Sequence, residues 1–120
     1  MQRLRVPRLP SGRARIRLRG MRHTEDSFEV RVYLDLPPGE VSDEHLAGVF
    51  AVYGVGPRSP GAQEAEGPPW DVLLEVSPSA LAHARRRGPH DVTLIAERAD
   101  GSPAEDVDLR FDDVVIESED

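Results

Sequence analysis

The sequence predicts an all-β fold, an antiparallel β-sandwich of about seven strands with one short helix. Three observations carry this expectation. Two stretches alternate apolar and polar residues with a strict period of two. Several more apolar runs have strand length and are separated by Gly, Pro and Asp-Gly turn signals. Only one stretch of the 120 residues has both helix-forming composition and helix end signals. A chain of this length builds one domain around one core.

Residues 1–12 contain Pro7, Pro10 and Gly12 and show no clear period, so they are expected to form a flexible basic arm or linker, with the sandwich domain spanning 13–120. From Arg13 to Arg19 the order is Arg-Ala-Arg-Ile-Arg-Leu-Arg. This is a strand with Ala14, Ile16 and Leu18 facing inward and four arginines outward, a charged row that discourages edge-to-edge association. Phe28 to Leu36 alternates again, with Phe28, Val30, Val32, Leu34 and Leu36 on one face, and Pro37-Pro38-Gly39 ends it. A third strand is expected over about Ala47–Tyr53. Residues 56–69 read as a long polar loop, and Trp70–Val76 as the next strand.

The helix should follow directly. Ser77 is placed to N-cap it, Pro78 suits the first helical position, and Ala80, Leu81, Ala82 and Ala84 favour helix. Arg85-Arg86-Arg87 would complement the C-terminal end of its dipole and Gly88 would stop it, giving about three turns. Strands are then expected over Asp91–Arg98, around Val107–Arg110 as a hairpin partner across Asp100-Gly101, and over Val114–Ile116.

Charge is divided sharply. All 15 basic residues are arginines, and Arg3, Arg5, Arg8, Arg13, Arg15, Arg17, Arg19 and Arg22 precede the first acid, Glu25. All 22 acids lie beyond them, and the net charge is −7. A basic start and an acidic remainder predict an internal match, one edge strand lying against acidic neighbours. A nucleic-acid partner is not expected, because the body is acidic and no aromatic residues interleave with the arginines to stack bases.

No catalytic pattern emerges. His23, His45, His83 and His90 show no metal-ligand spacing, so no metal and no cofactor are expected. No serine sits in a Gly-x-Ser-x-Gly elbow, adjacent Asp112 and Asp113 would point to opposite faces of a strand, and there is no lysine for a phosphate loop. The absence of cysteine excludes disulfides, thiolate metal sites and thiol nucleophiles. No apolar run approaches the length of a membrane span, and mean hydropathy is −0.46. No h-region or cleavage site follows the basic N-terminus, so neither a secretory signal nor a particular compartment is expected.

The most telling stretch is Leu46–Gly56, an apolar strand running straight into glycine-rich backbone with Tyr53 just before the turn. Tyr53 has two readings. It packs within the sheet, or it is held at the rim of a sandwich where it enters a partner's pocket.

Taken in order, Ser-Phe-Glu-Val-Arg-Val-Tyr-Leu (27–34), Leu-Ala-Gly-Val-Phe-Ala-Val-Tyr-Gly (46–54), Trp-Asp-Val-Leu-Leu-Glu-Val (70–76), Asp-Val-Thr-Leu-Ile-Ala (91–96) and Val-Val-Ile-Glu (114–117) resemble the C-terminal domain of the type-3 copper proteins, molluscan hemocyanin units and plant polyphenol oxidases. The likeness spans about residues 13–118. It implies a β-sandwich packed beside a separate helical core that holds two coppers. It further implies that the sandwich is non-catalytic, lacks the coppers, covers the active-site entrance and inserts a bulky placeholder side chain. The placeholder position falls on Tyr53, with Phe50 and Gly54 as the accompanying partner-contact positions. On the hemocyanin-like pattern the placeholder is a leucine, so tyrosine is a departure, and hemocyanin's cysteine becomes Ala51. The implied partner is a dicopper tyrosinase-like core, on the same chain or in trans. The other reading of the same residues is a β-sandwich protein-interaction module unrelated to copper.

Overall fold

Residues 2–6, 12–22, 27–37, 39, 41–52, 70–84, 90–98, 100–102, 104 and 109–118 are described by the structure, a computed structural model. Among them are seven strands and one α-helix: β1 (Gln2–Val6), β2 (Ala14–Met21), β3 (Phe28–Leu34), β4 (Leu46–Val52), β5 (Trp70–Glu75), α1 (Pro78–His83), β6 (His90–Glu97) and β7 (Asp113–Ser118). A short 3-10 turn, Asp43–His45, leads into β4. The strands form two antiparallel sheets, β1-β6-β3-β4 and β5-β2-β7. The sheets stack so that β4 lies beside β5 and β1 beside β7. The expected β-sandwich is therefore the observed fold.

Alternation decides which side chains meet between the layers. On β2, Ala14, Ile16 and Leu18 are buried. Phe28, Val30, Val32 and Leu34 of β3 and Val92 and Leu94 of β6 belong to the same apolar cluster. Full burial of a side chain such as Ile16 or Leu18 contributes roughly 1.5–3 kcal/mol. Strict alternation would then place Gly20 inward and Met21 outward. Instead Gly20 adopts φ +73° and the β2–β5 register slips between Leu18 and Met21. The bulge re-phases the strand and buries Met21 completely.

Strand membership differs from expectation in three places. Gln2–Val6 is not an arm: it is a strand antiparallel to β6, with Val6 paired to His90 and buried in the core. The sandwich thus begins before residue 13. β1 also explains why the second arm of the expected 107–110 hairpin does not form at Leu109 and Arg110. The turn itself closes, with Arg98 N donating to Ser102 O (2.9 Å), Ala104 N to Ala96 O (3.0 Å) and Gly101 at φ +85°. Beyond that rung, the side of β6 that a hairpin partner needs is occupied by β1 from Leu94 to His90. The carbonyl of Leu109 accepts from Gln2 Nε2 (3.0 Å) and that of Arg110 from Arg22 N (2.9 Å). Val107 and Asp108 lie outside the described residues.

The third difference is the arginine strand, which is the centre of its sheet and not an edge. The internal charge match holds, and it is two-sided. Glu117 on β7 accepts from Arg15 (2.7 Å) and Arg17 (2.8 Å), while Arg17 also reaches Asp71 on β5 at 3.1 Å. Arg19 pairs with Asp113, and Arg22 with Asp112 at 2.8 Å. Hydrogen bonding from Arg17 holds the Glu117 carboxyl below its ordinary pKa, and bonding from Arg19 does the same for Asp113.

The helix starts as expected, with Ser77 Oγ accepting from Ala80 N at 3.2 Å, but it spans only Pro78–His83. Its last turn tightens onto a bond from Ala84 N to Leu81 O (3.2 Å), and Ala84 is already extended at ψ 150°. The arginines expected in its last turn follow that stop and lie outside the described residues. Where β5 ends, Val76 N donates to Ala14 O (3.0 Å) in one sheet and Ser77 N to Ala47 O (3.0 Å) in the other. These two bonds close the β4/β5 corner.

Two measurements check this account. An added Cβ at Gly20 would lie 2.2 Å from Asp112 Oδ2, at a backbone φ that L residues avoid. Gly20→Ala should therefore destabilise the fold by about 1–2 kcal/mol in urea titrations; an unchanged midpoint would remove the bulge from its role in phasing β2. The acid limb of stability has a definite sign. Glu117 and Asp113 have pKa values lowered by folding, so they stabilise above their unfolded pKa and lose that contribution as pH falls through the folded values. The urea midpoint should fall below about pH 4. In Arg17→Gln the fall should be shallower, since Arg17 is the first cause of the Glu117 shift.

Candidate functional site

The candidate site is the end of β4, an edge strand of the four-stranded sheet. Its sequence, Leu-Ala-Gly-Val-Phe-Ala-Val, is apolar throughout. Pairing with β3 places Gly48 opposite Val32, Phe50 opposite Val30 and Val52 opposite Phe28, so these three share the core-facing side. Gly48 is required by packing: a Cβ there would fall 2.8 Å from the Leu74 side chain of β5, which fills the space. Phe50 is half-buried and packs against the core cluster, and Val52 is buried. Val49 and Ala51 face outward and are exposed. Of the three expected partner-contact residues, Phe50 is thus a core-facing residue at the sandwich edge. Tyr53 and Gly54 lie outside the described residues. The chain re-enters the described structure at Trp70, which is half-buried against the core and paired with Met21.

Folding brings together several polar residues that are distant in sequence. His90 Nδ1 lies 2.7 Å from Asp35 Oδ2, both side chains being 3% exposed, although the two are 55 residues apart. Asp35 sits at φ +53°; its Oδ1 accepts from Asp91 N (2.9 Å) and its own N–H donates to Asp91 O (2.7 Å). With both carboxylate oxygens engaged, the pair clamps the end of β3 to the start of β6 and presents no free base. His45 and His83 also meet, edge to face, with ring centroids 5.7 Å apart. Each holds its Nδ1 toward a main-chain carbonyl, Leu34 O at 3.1 Å and Ser79 O at 2.8 Å, which makes these nitrogens donors and fixes the helix against the turn before β4. Spacing rules missed both encounters, because each pair joins separate elements. Among the described residues no group of three or more His, Cys, Asp or Glu is arranged to hold a metal ion.

The reading of residues 1–12 as an arm also hid a shallow pocket of about 530 Å³ at the opposite edge. Leu4, Leu109 and Phe111 line it, with the Arg22–Asp112 ion pair at its rim. The outward arginines of β2, the natural candidates for an anion-binding face, are engaged with Asp71, Asp113 and Glu117. No helix among the described residues is long and apolar enough to cross a membrane.

No protein-family model and no curated protein matches the chain. Among solved structures, it is similar to one described as latent aurone synthase (polyphenol oxidase) from natural source, with a TM-score of 0.61 at 13% sequence identity. The likeness covers 97% of this chain but only 24% of that one, so the chain spans about a quarter of the length of the protein it matches. At this identity the likeness is one of fold, and it takes in nearly the whole of the present chain.

Proposed function

We propose that this chain is a non-catalytic covering domain for a tyrosinase-like dicopper oxidase core, acting on the same polypeptide or in trans. One observation carries the reading: almost the entire chain, and not a shared fragment of it, corresponds in fold to one quarter of a latent polyphenol oxidase. The residue pattern at 46–54 points to the same family independently of the backbone.

On this proposal Tyr53 is the side chain that enters the partner's pocket. It follows Val52, whose side chain is held in the core opposite Phe28. An alternation carried one residue past Val52 would assign Tyr53 to the outward side. Phe50, packed into the sandwich edge, gives the strand a fixed support, and Gly54 is a further partner-contact position.

The mechanism is occupancy. The pocket of a phenol oxidase accepts a phenol, and a tyrosine side chain offers one that cannot leave while the domain is docked. Burial of one aromatic side chain contributes roughly 1.5–3 kcal/mol. A tether raises the effective local concentration of the domain to about the millimolar range. Cleavage of the tether or displacement of the domain would then release activity, without any catalytic group in this chain.

Titrating the chain into a tyrosinase-like core from the same source tests the proposal. Wild type should inhibit saturably, and Tyr53→Ala should weaken inhibition by roughly 10–100-fold, the ratio that the burial energy implies. The variant should keep the wild-type melting temperature. Loss of folding would assign Tyr53 to the core, and absence of binding at high micromolar concentration would overturn the covering role.

A further inference from the structure

We infer that the free edge of β4 is a pairing seam for a second copy of this chain, joining two four-stranded sheets into one through β4. This does not rest on the covering role. It rests on which main-chain groups β4 leaves exposed and on what register they permit.

The direction of those groups follows from the hydrogen bonds at the other end of the sheet. Asp35 N donates to Asp91 O. Continuing the β3–β6 register from that rung, Tyr33, Arg31 and Glu29 direct their main-chain groups toward β6. Leu34, Val32, Val30 and Phe28 must then direct theirs toward β4, since successive residues of a strand alternate sides. Gly48, Phe50 and Val52 are therefore the residues of β4 bonded to β3. Val49 and Ala51 point their N–H and C=O groups away from the sheet. The β3–β4 register slips at Ala47, so this phase runs from Gly48 to Val52; the Ala47 carbonyl is taken by Ser77 N at 3.0 Å. Among the described residues nothing bonds the corresponding groups of Val49 and Ala51.

Edges of this kind are normally blunted by charge, proline or brevity. This one carries none of these protections: β4 spans seven residues without a charge or a proline, and the Val49 side chain is 40% exposed. β1, at the other edge of the sheet, carries Arg3 and Arg5 and runs into Pro7.

The seam is self-complementary in one register. With Ser77 occupying the Ala47 end, the open groups are those of Val49 and Ala51. A two-fold axis at Phe50 sets Val49 of each copy against Ala51 of the other, as two reciprocally hydrogen-bonded pairs. Phe50 then faces Phe50 of the second copy as a non-hydrogen-bonded pair, where cross-strand side chains approach most closely. Gly48 is left opposite Val52 of the second copy. No charged residue faces a like charge anywhere along the seam, and both edges are consumed, so association stops at two. A seam this short buries less than a standard interface, which places the dimer in a weak range.

Sedimentation velocity on the full chain from about 5 µM to ~500 µM tests this, with the range chosen for weak association. The sedimentation coefficient should rise from monomer toward dimer. Amide exchange at Val49 and Ala51 should slow at the high concentration and recover on dilution. Val49→Lys and Ala51→Lys, both at outward exposed positions, should leave a folded monomer at every concentration. A wild type that stays monomeric throughout would overturn the inference. So would a dimer that persists in both variants, or one whose formation leaves exchange at these two amides unchanged, because association would then use another surface.

Discussion

The whole sandwich depends on β2 having two faces that cannot both be satisfied at an edge. Its inward residues, Ile16 and Leu18, are essentially inaccessible to solvent and need a second sheet above them. Its outward residues, Arg15, Arg17 and Arg19, repel one another along the strand and need acids on both sides. β7 supplies Asp113 and Glu117, and β5 supplies Asp71. The central position of β2 is the arrangement that meets both demands. The two sets of interactions differ in weight. Solvent-screened ion pairs of this kind contribute little, whereas each fully buried aliphatic side chain contributes roughly 1.5–3 kcal/mol. Burial therefore drives the strand into the sandwich, and the ion pairs chiefly select its neighbours and register.

That division of labour explains what could be read from the chain alone. The periods of β2 and β3 are intrinsic to their own residues, and the layered fold follows from them. Neighbour identity is a property of pairs. The charge asymmetry revealed that β2 would lie beside acids, but not that they would flank it on both sides. Gln2–Val6 carries an alternation, with Leu4 and Val6 more buried than Arg3 and Arg5, yet five residues followed by Pro7 give too short a pattern to distinguish from an arm. Once β1 takes its place on β6, Leu109 and Arg110 lose the strand that a hairpin would have paired them with.

The candidate site shows the same limit more strongly. A strand was legible over about 47–53, and it forms as Leu46–Val52. What the residues do not announce is that Gly48 is small because Leu74 fills its space, or that Phe50 faces the core opposite Val30. Both facts concern support. A side chain offered to a partner needs a strand that does not yield. Here β4 is fixed on its inner side by packing and at its start by the double hold of Ser77 on the Leu46 and Ala47 carbonyls. The buried Asp35–His90 clamp fixes the neighbouring strands β3 and β6 to each other in turn.

A strand that is rigid, apolar and unprotected along one edge is costly to leave exposed, because uncovered main-chain groups invite pairing with any extended segment. The remainder of this surface is managed differently: arginines of β2 are matched by acids, and the other edge of the four-stranded sheet carries two arginines and leads into a proline. Among the described edge strands β1, β4, β5 and β7, only β4 carries no charge, although a single lysine at Val49 would protect that edge without touching the core. An edge kept apolar is better explained by contact than by neglect, because the same absence of charge lets the strand be desolvated without burying an unpaired ion. On that argument the outer side of β4 is a contact surface, with a second copy as the occupant inferred above, and the inner side of the strand is reserved for holding it in place.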